Sequence, residues 1–565
     1  MARVVGIGHQ DFETIIQKNC FYIDKTRFIK EWWENNDVVT LITRPRRFGK
    51  TLNMSMVHQF FSVDYAGRGD LFEGLSIWKE KEYRELQGTY PVISLSFANV
   101  KETLFSDARK VICQIIADIY RKYDFLLESG CLSEEEQKSY RMVSAEMEKY
   151  MASGSLRTLS DYLSRYYRKK VIILLDEYDT PMQEAYVHGY WKEMAEFARG
   201  LFNAAFKTNP FLERAIMTGI TRVSKESIFS DLNNLEVVTS TSDLYADSFG
   251  FTEKEVFAAL DEYGMGDKKE TVKYWYDGFT FGKTGEIYNP WSVLNYLKTG
   301  NFSAYWANTS SNSLVSVLLR EGNKQIKQDF EKLMCGNTLR MEIDEQIIYD
   351  QLSVKKNAVW SLLLAGGYLK VLKKEYAEET GRWYYTLALT NREVHLMFED
   401  LISDWFAGQD DNYNDFIKAM LLDDVDAMNV YMNRMALAMF SYFDTGKKSS
   451  EETEPERFYH GFVLGLMVEL ADRYVLTPNR ESGFGRYDIM LEPKNPGKMD
   501  NAIIIEFKVN NPKREKSLEE TAEAALAQIE EKKYDEVLKA RKIPEERIKK
   551  YGFAFRGKEV LIGRK

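Results

Sequence analysis

Cysteine is sparse in this chain: Cys20, Cys113, Cys131 and Cys335 are spread over 565 positions. Their spacing supports neither a disulfide framework nor a zinc cluster. Proline is scarce too, at 11 residues, which argues against long disordered linkers. No run of about 18 or more apolar residues could span a bilayer, and the opening MARVVGIGHQDFE lacks the apolar stretch of a signal peptide. A cytoplasmic, bacterial-type location with no membrane partner is the expectation. An excess of positive charge is also missing: 76 Lys and Arg stand against 86 Asp and Glu, a net −10. No general electrostatic pull therefore draws the chain to nucleic acid. That weighs against a protein that coats DNA and leaves room for an enzyme with a local basic groove.

Aromatic side chains are plentiful instead, with 34 Tyr and 33 Phe, as large filled cores or aromatic contact surfaces require. The length exceeds one ordinary core, so roughly two to four domains are expected. Four uninterrupted apolar runs read as buried strands: DVVTLIT (37–43), PVISLSF (91–97), VIILLDEYD (171–179) and RAIMTGI (214–220). Helical stretches separate them, the pattern of a parallel α/β sheet covered on both faces. Residues 1–240 read as that domain. Residues 241–400 read as a helical or winged-helix-like appendage, with a capped helix at SFGFTEKEVFAALDEYG and a hairpin at GGYLKVLKKEYAEETGRWYYTLAL. Residues 401–450 read as a helical connector, and DTGKKSSEETEPER (444–457) is the most linker-like stretch. Residues 451–565 form a compact α/β pattern: a helix at FYHGFVLGLMVELADRY, strands at RYDIMLEP and AIIIEFKV, an Ala-rich helix, and a closing strand pair.

The segment TLITRPRRFGKTLNMS, Thr40 to Ser55, carries the end of a phosphate-binding loop without its beginning. In the pattern G-x-x-x-x-G-K-[ST], Gly49, Lys50 and Thr51 are in register, while Arg44 holds the first glycine's place, followed by Pro45, Arg46 and Arg47. Such loops work because backbone N–H groups wrap phosphates at a helix N-terminus, Lys neutralises the outer phosphates and the Thr hydroxyl holds Mg²⁺. Gly49, Lys50 and Thr51 are assigned those roles. Phe48 completes the loop, and Arg46 and Arg47 face either the phosphates, solvent or a neighbouring subunit. A first glycine serves a tight turn, so Arg44-Pro45 has to make that turn differently.

Downstream, VIILLDEYD ends a hydrophobic strand in Asp176-Glu177. Asp176 is the expected magnesium carboxylate and Glu177 the residue that orients the attacking water. The fourth strand ends in TGITR, which puts Thr218 and Thr221 where a polar sensor sits beside the γ-phosphate. Arg222 and Arg214 are alternative arginine fingers, each weighed against an ordinary surface arginine.

DKTRFI, TRPRRFGKTLNMSM, LLDEYDTP, TGITRVSKESIFSDLNNL, YDGFTFG and YNPWSVLNYL, in that order, resemble the bacterial AAA-ATPase-like family whose members carry a C-terminal PD-(D/E)XK nuclease domain. The resemblance implies that RPRRFGK is that family's own form of the loop. It also implies ATP as the nucleotide, in keeping with the lack of a guanine-reading N-K-x-D motif. Rings or dimers are common among P-loop ATPases of this type, so a homo-oligomer is expected, and a link to genome defence or mobile elements belongs to the same expectation.

The nuclease expectation can be read from residues as well. Metal-dependent phosphodiester cleavage needs carboxylates converging on Mg²⁺, or Mn²⁺ in its stead, and a nearby cation. In IIIEFKV, Glu506 and Lys508 are two apart on a strand and share one face, while Phe507 takes the other. Asp488, in GFGRYDIML, lies on a strand expected to pair with it, which makes a D…ExK arrangement with Asp488 and Glu506 as metal carboxylates. Gln528, on the following helix, matches the family's glutamine, against the alternative of an exposed polar residue. Glu469 as an outer carboxylate, His460 in proton transfer and Arg486 on the DNA backbone are each weighed against plain structural roles.

The leading expectation is an ATP-binding and ATP-hydrolysing protein with a Mg²⁺-dependent nuclease domain acting on DNA. The alternatives are a nucleotide-switched nucleic-acid-binding or signalling scaffold without cleavage, and a motor that moves DNA.

Overall fold

In the computed structural model, residues 3–222, 228–229, 232–307, 313–320, 324–334, 336–344, 357–407, 413–439, 463, 467, 470, 473–482, 485–495, 500–510, 515–541, 543–556 and 559–565 are described. They fall into two compact units, Met1–Gly322 with Lys332–His395, and Asn323–Glu331 with Leu396–Lys565. His460, Glu469, the 444–457 linker and most of the helix expected at 458–474 lie outside the described residues.

The first unit is built on a five-stranded parallel sheet. Its strands are β1 (Val39–Thr43), β2 (Val92–Ser96), β3 (Val171–Asp176), β4 (Leu212–Gly219) and β5 (Leu235–Val238), in the order β2-β3-β4-β1-β5. The apolar runs are uninterrupted because both faces are covered. Val39, Leu41, Ile173, Leu175, Ala215 and Met217 pack against helices Phe105–Lys122, Lys149–Tyr167 and Trp191–Phe202. Ile42, Ile172, Leu174, Ile216 and Val238 face helices Arg27–Asn35 and Lys50–Phe61. Each such side chain contributes about 1.5–3 kcal/mol by leaving water. Four strands fall where the apolar runs predict them. β5, with the half-exposed sequence LEVV, has no apolar run to mark it.

Residues 241–322 and 332–395 fall in the same unit as this sheet. Helix Glu253–Glu262 carries the expected cap, a capping box between Thr252 and Glu255. Strands β6 (Phe251–Thr252), β7 (Phe279–Phe281) and β8 (Thr284–Tyr288) form one small antiparallel sheet. Strands β9 (Leu339–Met341), β10 (Leu369–Ala377) and β11 (Arg382–Leu389) form another, ordered β10-β11-β9, whose long hairpin is the predicted one and takes the place a wing would have. The helix before that wing, Ala358–Ala365 (AVWSLLLA), is buried through Leu364 and joins the core of the parallel sheet.

The second unit holds a mixed sheet of β12 (Tyr474–Ser482), β13 (Gly485–Pro493), β14 (Ala502–Val509), β15 (Ile548–Arg556) and β16 (Glu559–Arg564), paired in that order. Only β14 and β15 run parallel. The turn expected over 479–486 is shorter than its composition suggests, because β12 runs to Ser482 and β13 starts at Gly485. Ile503, Ile505 and Phe507 face a core shared with Phe416, Met428 and Met432. Ala502 and Ile504 face the helix Leu518–Glu531. Glu506 and Lys508 continue this second row, as the period of two requires.

Candidate active sites

In the first unit the phosphate loop follows β1 and enters helix Lys50–Phe61. Gly49, at φ 80°, takes the left-handed conformation that glycine tolerates best, and Arg47 is left-handed as well, at φ 64°. Arg44, in the absent glycine's place, is wholly buried. Its guanidinium donates to the carbonyls of Thr43 (3.0 Å), Thr239 (2.7 Å) and Leu244 (3.2 Å) and lies 4.3 Å from the Phe281 ring centre. With no acidic partner among these contacts, burial pushes it well below the ordinary arginine range, to about 9. The backbone turn is thus held by a side-chain post instead of being freed by a glycine.

Lys50 is buried, and its Nζ donates to the carbonyls of Arg44 and Pro45, both at 2.9 Å. Burial pushes its pKa down, while Glu177, Asp176 and Asp179 act the other way. The Thr51 hydroxyl donates to Asp176 Oδ2 at 2.7 Å, and the Thr218 hydroxyl donates to Asp176 Oδ1. Burial raises the Asp176 carboxyl against these two hydrogen bonds. Glu177 follows at φ 52°, accepting from the Thr180 hydroxyl at 3.1 Å. The sheet order accounts for this convergence, since β4 lies between β1 and β3 and brings Thr218 between the loop and Asp176. Thr51 and Asp176 present adjacent hard oxygen donors, a set that suits Mg²⁺, which keeps several waters and takes one or two carboxylates.

The remaining expected residues separate clearly. Arg46 is half-buried and Arg47 exposed, the latter stacked 4.5 Å over Trp291. The Phe48 side chain is buried against Phe279 and Phe281, which leaves its backbone to serve the loop. Thr221 faces Asp179, whose Oδ2 accepts from Ile220 N, Thr221 N and Thr221 Oγ1 at 2.8–2.9 Å and pins the turn before Arg222. Arg214 lies near the start of β4, four residues before Thr218. It is spent on the carbonyls of Trp32 and Trp33 and on Asn36, so it is a structural arginine. Lys25 of DKTRFI is structural too, donating to Glu255 and to the carbonyl of Asp247.

In the second unit the antiparallel pairing reaches Ile489 with Ile505, and Asp488 and Glu506 are the next residues along the two strands. Asp488 Oδ2 accepts from Phe507 N at 2.8 Å. Glu506 is buried, at 3% exposure, and accepts from Gln528 Nε2, while Gln528 Oε1 accepts from Lys508 Nζ at 2.8 Å. Gln528 therefore bridges the carboxylate and the lysine. Sequence reasoning overlooked Tyr534, buried at 1% exposure, whose hydroxyl accepts from Gln528 at 3.4 Å. Burial raises this phenol, with Glu506 and Asp488 adding to the rise. Only the backbone of Arg486 is described, in β13 opposite Glu481. Asp488 and Glu506 are hard donors that suit Mg²⁺ or Mn²⁺ as a two-carboxylate set. Among the described residues no cluster of three or more metal-binding side chains is assembled.

Comparison with known proteins finds a family match over each of the two regions that hold these residues. Residues 6–229 match the AAA-ATPase-like family, described as predicted AAA-ATPase, and residues 454–565 match the PD-(D/E)XK nuclease superfamily. An uncharacterized protein in the vnfD 5'region of Azotobacter chroococcum mcd 1 is 27% identical over 336 residues, which covers 59% of each chain. The chain thus spans well under two thirds of that relative's length. No helix among the described residues is long and apolar enough to cross a membrane. The chain therefore joins a predicted AAA-ATPase-like domain to a C-terminal PD-(D/E)XK nuclease superfamily domain.

Proposed function

We propose that the protein binds and hydrolyses ATP in its first unit and cleaves DNA with Mg²⁺ in its second. The observation that carries the reading is the bridge Thr51–Asp176–Thr218 beside the buried Lys50, a set drawn from the ends of β3 and β4 and the start of the helix that follows β1. In this reading Lys50 neutralises the outer phosphates, the Arg46–Gly49 backbone wraps them, and Thr51 and Asp176 hold Mg²⁺. Glu177 orients a water toward the terminal phosphate, and Thr218 senses that phosphate. In the nuclease site Asp488 and Glu506 hold the metal, which when bound supplies a Lewis acid and a nucleophile generated near neutral pH. Lys508 offsets phosphate charge, and Gln528 fixes the spacing between lysine and carboxylate. The negative net charge favours a substrate that is recruited or gated over promiscuous DNA binding. A homo-oligomer acting in genome defence or on mobile elements is the setting that suits these parts.

The test is incubation of the protein with plasmid and single-stranded DNA, with Mg²⁺ or Mn²⁺, with and without ATP. Cleavage that needs the metal, together with phosphate release from ATP, is expected. Binding of DNA without cleavage under every condition would instead establish the scaffold reading.

A further inference from the structure

The match to the ATPase family ends at residue 229, yet the phosphate loop is held in place by side chains and backbone from beyond it. The Arg46 carbonyl accepts two hydrogen bonds, from Asn289 Nδ2 at 3.3 Å and from the Trp306 indole Nε1 at 3.0 Å. Two residues on, the Phe48 carbonyl accepts from Gly250 N at 3.3 Å. A trans peptide sets its C=O and the following N–H on opposite sides. Anchoring Arg46 O therefore turns the Arg47 N–H away from Asn289 and Trp306, and anchoring Phe48 O turns the Gly49 N–H away from Gly250. Arg47 and Gly49 are the two loop residues at positive φ, and neither amide donates a hydrogen bond to a described residue. Backbone N–H groups of one turn left open in this manner can line an anion-binding concavity.

The two anchors are themselves fixed from below. Asn289 Oδ1 accepts from Trp291 N and Ser292 N, capping helix Pro290–Thr299, so its amide group has one orientation left for Arg46. Glu393, buried at 0% exposure, accepts from the Ser292 hydroxyl at 2.8 Å and from Trp306 N at 2.5 Å. One carboxylate thus ties the cap of that helix to the backbone of the tryptophan. The Trp306 ring is wedged between Phe279 and Tyr368, with ring centres 5.4 and 5.6 Å away.

We propose that Asn289 and Trp306, seated on Glu393, are positioning residues of the nucleotide site: they hold the Arg46 carbonyl outward and so aim the Arg47 amide at the phosphates of ATP. The inference rests on the ATP reading above and deepens it. Phosphate affinity is then set from the segment beyond the matched ATPase region, and any displacement of Trp306 is felt at the loop.

The experiment uses the full chain and two conservative variants. Trp306→Phe keeps an aromatic ring and removes the indole donor. Asn289→Ser keeps a capping oxygen and removes the amide donor. For each, the ATP dissociation constant is expected to rise about fivefold, as for loss of one hydrogen bond. KM for ATP should follow it while kcat stays at the wild-type value, even though trimming a buried side chain lowers the melting temperature of the nucleotide-free protein somewhat. Wild-type affinity in both variants, with binding lost in Lys50→Ala, overturns the inference and leaves the ATP reading standing. Equal falls in kcat and melting temperature would mark mere structural damage and overturn it too. A wild-type protein that binds no ATP, or a Lys50→Ala protein that binds it equally well, removes the ATP reading and this inference with it.

Discussion

Thr51 and Asp176, 125 residues apart in the chain, are joined by a 2.7 Å hydrogen bond from the threonine hydroxyl to the carboxylate. Their strands are not neighbours, because β4 runs between β1 and β3 and contributes Thr218 to the other carboxylate oxygen. One buried carboxylate thus ties the ends of β3 and β4 to the start of the helix after the loop. Its two hydroxyl partners fix the orientation of the carboxylate.

Lys50→Ala is expected to abolish ATP binding, and Glu177→Gln to retain binding while stopping turnover. Equilibrium binding of a fluorescent ATP analogue and a phosphate-release assay separate the two effects. Normal hydrolysis by Glu177→Gln would remove Glu177 from the role of orienting water.

Replacing Arg44 by glycine restores the familiar spacing of phosphate loops, and it is expected to harm the protein. The variant loses three hydrogen bonds to carbonyls and the contact with Phe281, and it leaves a cavity where a whole side chain was buried. A loss of roughly 2–4 kcal/mol is expected, read as a lower denaturation midpoint together with weaker ATP binding. A variant at least as stable as wild type would show that Arg44 is no post.

In the nuclease unit, Lys508→Ala and Asp488→Asn are expected to abolish Mg²⁺-dependent cleavage and to leave ATP binding intact. Gln528→Ala should be milder, lowering cleavage by about 10–100-fold as loss of an outer-shell partner does. Plasmid nicking and linearisation report all three. Full cleavage by Lys508→Ala would sink the nuclease assignment.

Glu393 supplies a pH signature. Burial pushes its carboxyl from 4.5 up to about 7, against hydrogen bonds from Ser292, Trp306 N and Ala307 N. The folded protein then keeps a proton that the unfolded chain releases. The stability linked to that proton is present in full below pH 4.5 and is lost as pH rises through about 7. Glu393→Gln should abolish this dependence, so that its melting temperature gains on wild type steadily across that window and no further above it. A constant difference between the two proteins at every pH would show that Glu393 does not titrate there.

Much of this was legible in the sequence, for physical reasons that can be named. Strands β1 to β4 announce themselves because a parallel sheet buried on both faces tolerates no polar alternation, and VIILL before Asp176 is the clearest case. Gly49-Lys50-Thr51 and Glu506-Phe507-Lys508 are short local patterns that gain meaning from the strand before and the helix after each. Arg44 was visible only as an anomaly, since its carbonyl partners at Thr239 and Leu244 lie 195 and 200 residues away. Asn289, Trp306 and Glu393 carry no local signal, because what they do depends on tertiary neighbours. Tyr534, six residues past Gln528, reads as an ordinary aromatic until the helix end brings it beside the amide.

The helix that precedes the wing has one further consequence. AVWSLLLA is apolar almost throughout, and Ser361, its only polar side chain, is occupied with Asn357 O and Asp344 N. A helix that reads a DNA major groove must offer hydrogen-bonding side chains to base edges, and this one has none to offer. This helix is therefore a wedge in the core of the parallel sheet and not a reader of base sequence. Whatever target preference the protein shows has to be encoded on other surfaces.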